Sequence, residues 1–212
     1  MTYESIVISS GHGKYVRGAS GVMDEVDEAR KVTEQLATEI RARGIEVRTY
    51  HDDISKSQNE NLNRIVDFHN SCDRDLDISV HFNAFDGTAN GTEVLYLSQR
   101  DLAAKLSAAI AASGFKDRGA KERTDLFFLN NTEQPAVLLE VCFCDNERDS
   151  GIYCDTFATI CSAMADVLGG KEITTPTPPE PEVPVSEQQL RIDIKIDGFD
   201  GDVLVTVNGT KV

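Results

Sequence analysis

No apolar run in this 212-residue chain approaches the ~20 residues that a bilayer span requires, so no membrane insertion is expected. The N-terminus, Met1-Thr2-Tyr3-Glu4-Ser5, has neither a basic segment nor a long apolar stretch. Strand-forming residues begin at Ile6, and a signal peptide is not expected. A chain of this kind that works outside the cytoplasm needs another route of release. Basic residues are scarce: 21 Lys and Arg stand against 36 Asp and Glu, a net charge of −15. That balance argues against nucleic acid and against an anionic membrane surface as partners. The acid is spread along the chain and reads as solubility rather than as one binding patch. Cysteine is odd in number, five in all, and the spacing Cys-x-x-Cys is missing. Reduced thiols follow, and Cys142 and Cys144 read as small buried hydrophobes on one strand face. Histidine is rarer still, with four.

What remains is ordinary for a globular protein: 40% apolar and 27% charged residues, enough chain for one good core. Strand candidates are Ile6–Ser9, Ile45–Tyr50, Leu76–His81, Thr92–Leu97, Leu126–Leu129 and Val137–Cys142. Between them lie helical patterns over about 24–43, 59–70, 100–113 and 155–168. In the first, Ala29, Val32, Leu36 and Ile40 recur at three- and four-residue steps, and Gly44 follows as a C-cap. Alternating strands and helices imply an α/β fold, a mostly parallel twisted sheet with helices on both faces. Composition then changes. Five of the six prolines fall in Pro176–Pro184. Residues 1–170 therefore read as one α/β domain, 171–187 as a Pro-rich, semi-rigid linker and 188–212 as a short β-hairpin tail. In that tail Leu190–Ile196 alternates apolar and polar, Val203–Val207 offers a partner strand, and Asn208-Gly209 makes a further turn.

Two of the four histidines end apolar runs. His12 closes Ile6-Val7-Ile8-Ser9-Ser10-Gly11-His12-Gly13, and His81 closes Leu76-Asp77-Ile78-Ser79-Val80-His81. In an open α/β sheet, ligands collect at the carboxyl ends of strands. Glu25 opens the helix after the first loop, and Glu140 lies on a third buried run, Pro135–Phe143. Two imidazoles, a carboxylate ligand and a second carboxylate for protons are the parts of a hydrolytic zinc site. Asp24, Asp27 and Glu28 are rivals to Glu25, because a helix start favours acid through its dipole. His51 falls in a polar turn, and His69 reads as a hydrogen-bonded core residue on the inner face of a helix.

Five segments follow in order: Ser-Gly-His-Gly at 10–13, Gly-Val-Met-Asp-Glu at 21–25, Ser-Val-His-Phe-Asn-Ala at 79–84, Gly-Thr-Glu-Val at 91–94 and Pro-Ala-Val-Leu-Leu-Glu-Val-Cys-Phe-Cys-Asp-Asn at 135–146. Together, over roughly residues 5–168, they closely resemble the zinc-dependent N-acetylmuramoyl-L-alanine amidases, in the branch that includes phage endolysins of Gram-positive hosts. The resemblance implies one Zn2+ held by His12, Glu25 and His81, with Glu140 as the catalytic carboxylate. It implies peptidoglycan as the partner and, as the reaction, cleavage of the amide between N-acetylmuramic acid and L-alanine of the stem peptide by zinc-activated water. Asn83, just past His81, is placed either to orient substrate or to shape its turn. The chain departs from the family where Ser9-Ser10 stands for the common Asp-Pro, and where Cys144 replaces an apolar residue.

Other readings keep the fold. A non-catalytic wall-binding module would lack one of the four key groups, and none is missing. A zinc carboxypeptidase usually carries its first His and Glu three residues apart, whereas His12 and Glu25 are thirteen apart. A host autolysin would normally carry a signal peptide. The expected localisation is therefore synthesis in the cytoplasm and action on the cell wall after release, by a holin in the phage setting. The apolar faces of the tail suggest self-association, giving a homo-oligomer, or wall targeting.

Overall fold

In the computed structural model, residues 3–170, 206–207 and 210–211 are described. The chain divides into two units, Met1–Ile173 and Thr174–Val212. The first unit holds a six-stranded sheet built from β1 (Ser5–Ser10), β2 (Glu46–Tyr50), β3 (Leu76–Asn83), β4 (Thr92–Tyr96), β5 (Asp117–Glu122) and β6 (Ala136–Phe143), in the order β2-β1-β3-β6-β4-β5. Every neighbouring pair is parallel except β4 and β6, which run antiparallel. The expected α/β class, a mostly parallel sheet with helices on both faces, is what the chain adopts.

The central strands β3 and β6 are buried on both sides, which is why their sequences are continuous apolar runs instead of alternations. One face packs under α1 (Glu25–Arg41), α3 (Arg100–Ala111) and α5 (Glu147–Leu168). Its core includes Ile8, Leu36, Ile78, Leu106, Leu139, Ile160 and Met164. The other face carries Leu95, Leu138, Ile65 and Phe128 beneath α2 (Gln58–Asn70) and α4 (Phe127–Asn131). Each of α1, α2 and α5 starts on a polar cap, Asp24, Ser57 and Asn146, whose side chain accepts backbone N–H groups of the first turn.

Three elements differ from the sequence expectation. Leu126–Leu129 is not a strand: Phe127–Asn131 is a short helix, in which Asn131 Nδ2 donates to the Phe127 carbonyl. A four-residue apolar run does not distinguish strand from helix by periodicity. The strand beside β4 is Asp117-Arg118-Gly119-Ala120-Lys121-Glu122, a charged edge with little apolar signal. And α5 begins at Glu147, well before residue 155, because the Asn146 cap nucleates it and Gly151 is absorbed inside it.

All five cysteines are free, and all but Cys154 are buried. His69 lies in the core, where its Nδ1 meets Asp77 Oδ1 at 2.7 Å and its Nε2 meets Ser9 Oγ at 3.0 Å. Arg74 also donates to both oxygens of Asp77. This Ser–His–Asp line has the connectivity of a catalytic triad, but it is sealed from solvent and ties β1 to β3 and α2. Among the described residues, no helix is long and apolar enough to cross a membrane. The expected linker, 171–187, and the strand 190–196 lie outside the described residues, as does most of 203–207. In the second unit β7 (Thr206–Val207) pairs antiparallel with β8 (Thr210–Lys211).

Candidate active site

Parallel β1 and β3 end side by side, so the residues that follow them share one end of the sheet. His12 lies just beyond β1 and His81 near the end of β3, their rings 4.9 Å apart and nearly perpendicular. Two missing side chains make room for them. A Cβ at Gly11 would stand 1.8 Å from His81 Nε2, and one at Gly18 would stand 2.4 Å from Glu25 Oε2 and 2.7 Å from His12 Nε2.

Glu25 enters from the first turn of α1 and is buried. Its Oε1 lies 2.9 Å from His81 Nδ1 and 3.5 Å from His12 Nε2. The backbone N–H groups of Phe82 and Ala19 donate to its two oxygens. The rival acids are engaged elsewhere. Asp24 caps the helix and pairs with Arg17, Asp27 pairs with the same arginine, and Glu28 takes Lys31 and the Tyr153 hydroxyl. Burial works to raise the Glu25 pKa, but the hydrogen bond from His81 and the charge of both histidines outweigh it and hold it low. Burial likewise works to lower His81, and the bond to Glu25 overrides it, so His81 is shifted up. His12, without so close a partner, is shifted down by burial and by His81.

His12, Glu25 and His81 each offer a ligand atom, all within 4.8 Å of one another. Donors at ~2.0–2.1 Å around a tetrahedral ion stand about 3.4 Å apart, and the 2.9 and 3.5 Å contacts bracket that value. His12 Nδ1 is also buried without a hydrogen-bond partner. The donor set and its spacing suit Zn2+.

Glu140 is the residue on β6 that pairs in register with His81. One rung below it on the same face is Leu138, which pairs with Leu95. Its Oε2 is shielded from solvent and has no partner. Burial, with smaller contributions from Glu25 and Glu93, pushes its pKa up to about 7, against the pull of His81. Asn83 spends both ends of its amide inside the protein: Oδ1 accepts from Ala84 N, and Nδ2 donates to Glu93 Oε1 at 3.2 Å. Glu93 is the neighbour that a reading of single strands passes over. It stands opposite Glu140 only because β4 pairs antiparallel with β6.

The sequence profile described as N-acetylmuramoyl-L-alanine amidase matches residues 6–165. The chain belongs to that amidase family. A structure described as the catalytic domain of an endolysin targeting Clostridia Difficile superposes with a TM-score of 0.73 at 30% identity, over 80% of this chain and 99% of that one. An uncharacterized cell wall amidase of Bacillus anthracis is 30% identical over 69% of this chain and 31% of its own length. The endolysin of Bacillus phage SPP1 is 30% identical over 62% of this chain and 54% of its own. An uncharacterized 38.4 kDa protein of Clostridium perfringens reaches 34% identity, and the chain spans 45% of its length. The chain thus spans about half or less of these curated relatives. The matched region of the amidase family, residues 6–165, contains His12, Glu25, His81 and Glu140.

Proposed function

We propose that the chain hydrolyses the amide joining the lactyl group of N-acetylmuramic acid to L-alanine of the peptidoglycan stem peptide, in lysis of a Gram-positive host by phage. His12, Glu25 and His81 would hold one Zn2+, and Glu140 would handle the proton. The observation that carries this reading is the convergence of three ligating groups beside a shielded carboxyl with a pKa near neutrality, in a chain of the amidase family. When bound, the ion supplies Lewis acidity, which brings the pKa of a water ligand towards neutrality and polarises the scissile carbonyl.

The chain's own residues do the rest. Glu140 Oε2 is unpartnered, so it is free to accept the nucleophile's proton and return it to the amine nitrogen as the C–N bond breaks. A pKa near 7 suits both steps at neutral pH. Glu25 is fixed by two backbone donors, so its carboxylate keeps its aim without a substrate present. Tyr15, Val22 and Phe85 stand exposed on the loops that leave these strand ends and on the approach to α1, and offer apolar surface to a glycopeptide.

His81→Ala in the full chain tests the ligand assignment. Metal content after purification from zinc-containing medium should fall to background, with loss of wall lysis; a full complement of zinc would overturn the assignment. For the remainder of the chain, residues 171–187 act as a linker, and 188–212 serve in self-association or wall targeting.

A further inference from the structure

Beyond Glu140 the crevice wall holds a cation that the hydrolysis does not use. Glu93, opposite Glu140, is gripped at both oxygens: Oε1 by Asn83 Nδ2 and Oε2 by Arg118 Nε at 2.8 Å. Arg118 reaches it because β5 carries one extra residue. Thr92 pairs with Asp117 and Glu93 pairs with Gly119, so Arg118 is the bulged position between them. The bulge is fixed in place. Asp117 Oδ1 accepts from Gly119 N at 2.8 Å and from Ser107 Oγ at 2.5 Å. Gly119 itself has φ +76°, a conformation that suits glycine. The guanidinium carbon lies 5.0 Å from the centre of the Phe143 ring.

Arg118 is thus oriented through Nε and stacked on an aromatic face. Its two Nη groups make no hydrogen bond among the described residues, and its side chain is 32% exposed. A guanidinium held in this way is a preformed fork for a planar oxyanion. Of the cations further along, Lys121 pairs with Leu95 and so stands level with Leu138 instead of Glu140, and Arg123 is already taken by Asp125 through two hydrogen bonds.

We propose that Arg118 binds a carboxylate in the peptide half of the substrate, on the leaving-group side of the scissile amide. This rests on the amidase reading above. The muramoyl carboxyl is consumed in the amide, and the rest of the sugar is neutral, so the substrate's anionic groups lie on the peptide. Arg118 stands two strand spacings from Glu140, about 10 Å at ~4.8 Å per strand. An extended peptide covers ~3.3–3.6 Å per residue. The recognised carboxylate therefore lies within about three residues of the cleaved bond. With Glu25, Glu93 and Glu140 along the same crevice, an anion is disfavoured elsewhere in it, which makes Arg118 a selector as well as an anchor.

The test uses the full, zinc-loaded chain and two soluble N-acetylmuramoyl tripeptides, one with free carboxyls at its second and third residues and one with carboxamides there. Cleavage kinetics are measured for the wild type, Arg118→Gln and Arg118→Lys, and binding of the same pair is measured on the non-turning Glu140→Gln chain with and without Arg118→Gln. The wild type should prefer the acid by roughly 10- to 100-fold, the range of a charge-assisted hydrogen-bonded pair. Arg118→Gln should erase that preference through KM more than kcat, and Arg118→Lys should restore part of it, supplying charge without the fork. A thermal midpoint close to wild type establishes that the variants are folded. Equal handling of acid and amide by the wild type, or an acid preference that survives Arg118→Gln, overturns this inference alone. Failure of the wild type to cleave either compound, and of Glu140→Gln to bind either, overturns the amidase reading and this inference with it.

Discussion

Glu140→Gln should separate stability from chemistry, in opposite directions. In the metal-free chain the Glu140 carboxyl titrates near 7 instead of the ordinary 4.5, chiefly because burial penalises its charge. A folded-state pKa above the unfolded one means that the unfolded chain loses its proton first as pH rises. The carboxyl's contribution is therefore fully present below about pH 4.5 and is lost as pH climbs to 7. At about 1.4 kcal/mol per pH decade, full ionisation costs the native state about 3 kcal/mol. Glutamine never ionises and escapes that cost. In chelator, Glu140→Gln should match wild type near pH 4.5 and exceed it by about 3 kcal/mol at pH 8, raising the thermal midpoint by roughly 6–12 °C for a domain of this size. Turnover should fall by ~10²–10⁴-fold, the usual worth of general acid–base catalysis. Paired thermal scans from pH 4.5 to 8.5 and a wall-lysis assay measure both. A midpoint difference that does not change with pH would refute the assigned burial cost, and turnover within tenfold of wild type would refute the role of Glu140.

Asp24→Ala and Glu25→Gln form a matched pair of neighbours. The first should cost about 1 kcal/mol as a lost helix cap yet keep its metal; the second should keep its fold and lose its zinc, and the reverse pattern in metal analysis would reassign the ligand. His69→Ala leaves a core cavity and strands the Ser9 hydroxyl, while Asp77 keeps Arg74, and should lower stability by roughly 2–4 kcal/mol in urea; a loss under 1 kcal/mol would contradict the network's structural role. Burial holds the His69 pKa below 6.5 despite Asp77, whose charge Arg74 already offsets. The unfolded state therefore takes up the proton first, and this residue's contribution is intact above pH 6.5 and lost as pH falls through and below it. A chain ending at Gly170 should retain zinc and cleave soluble muropeptides but elute smaller or bind walls less; unchanged size and wall binding would rule out both roles given to residues 188–212.

Much of the proposed site was legible because chemistry interrupts pattern. His12 and His81 each close an apolar run in the sequence, and an imidazole at the end of such a run announces itself. Glu140 is a lone carboxylate in a buried strand, Ala136–Phe143. Glu25 was less legible, since four acids crowd the start of α1 and the helix dipole favours them all. Only the tertiary partners separate them: Arg17 takes Asp24 and Asp27, while Lys31 and Tyr153 take Glu28. Glu93 appeared only inside a motif, because its nearness to Glu140 depends on the one antiparallel pair in the sheet. Arg118 left no signal at all. It sits in a charged edge strand that breaks the alternation rule, and its aim depends on a bulge. Edge strands hide because solvation, not packing, chooses their residues.

The central claim is metal-assisted cleavage of one particular bond. Purified Gram-positive walls should be digested with the full chain, with and without chelator and with zinc restored, and the soluble products read by mass spectrometry. The account predicts free stem peptides with an L-alanine N-terminus, their loss on chelation and their return with zinc. Products that keep the muramoyl–alanine bond intact, or digestion that continues unchanged in chelator, would contradict it.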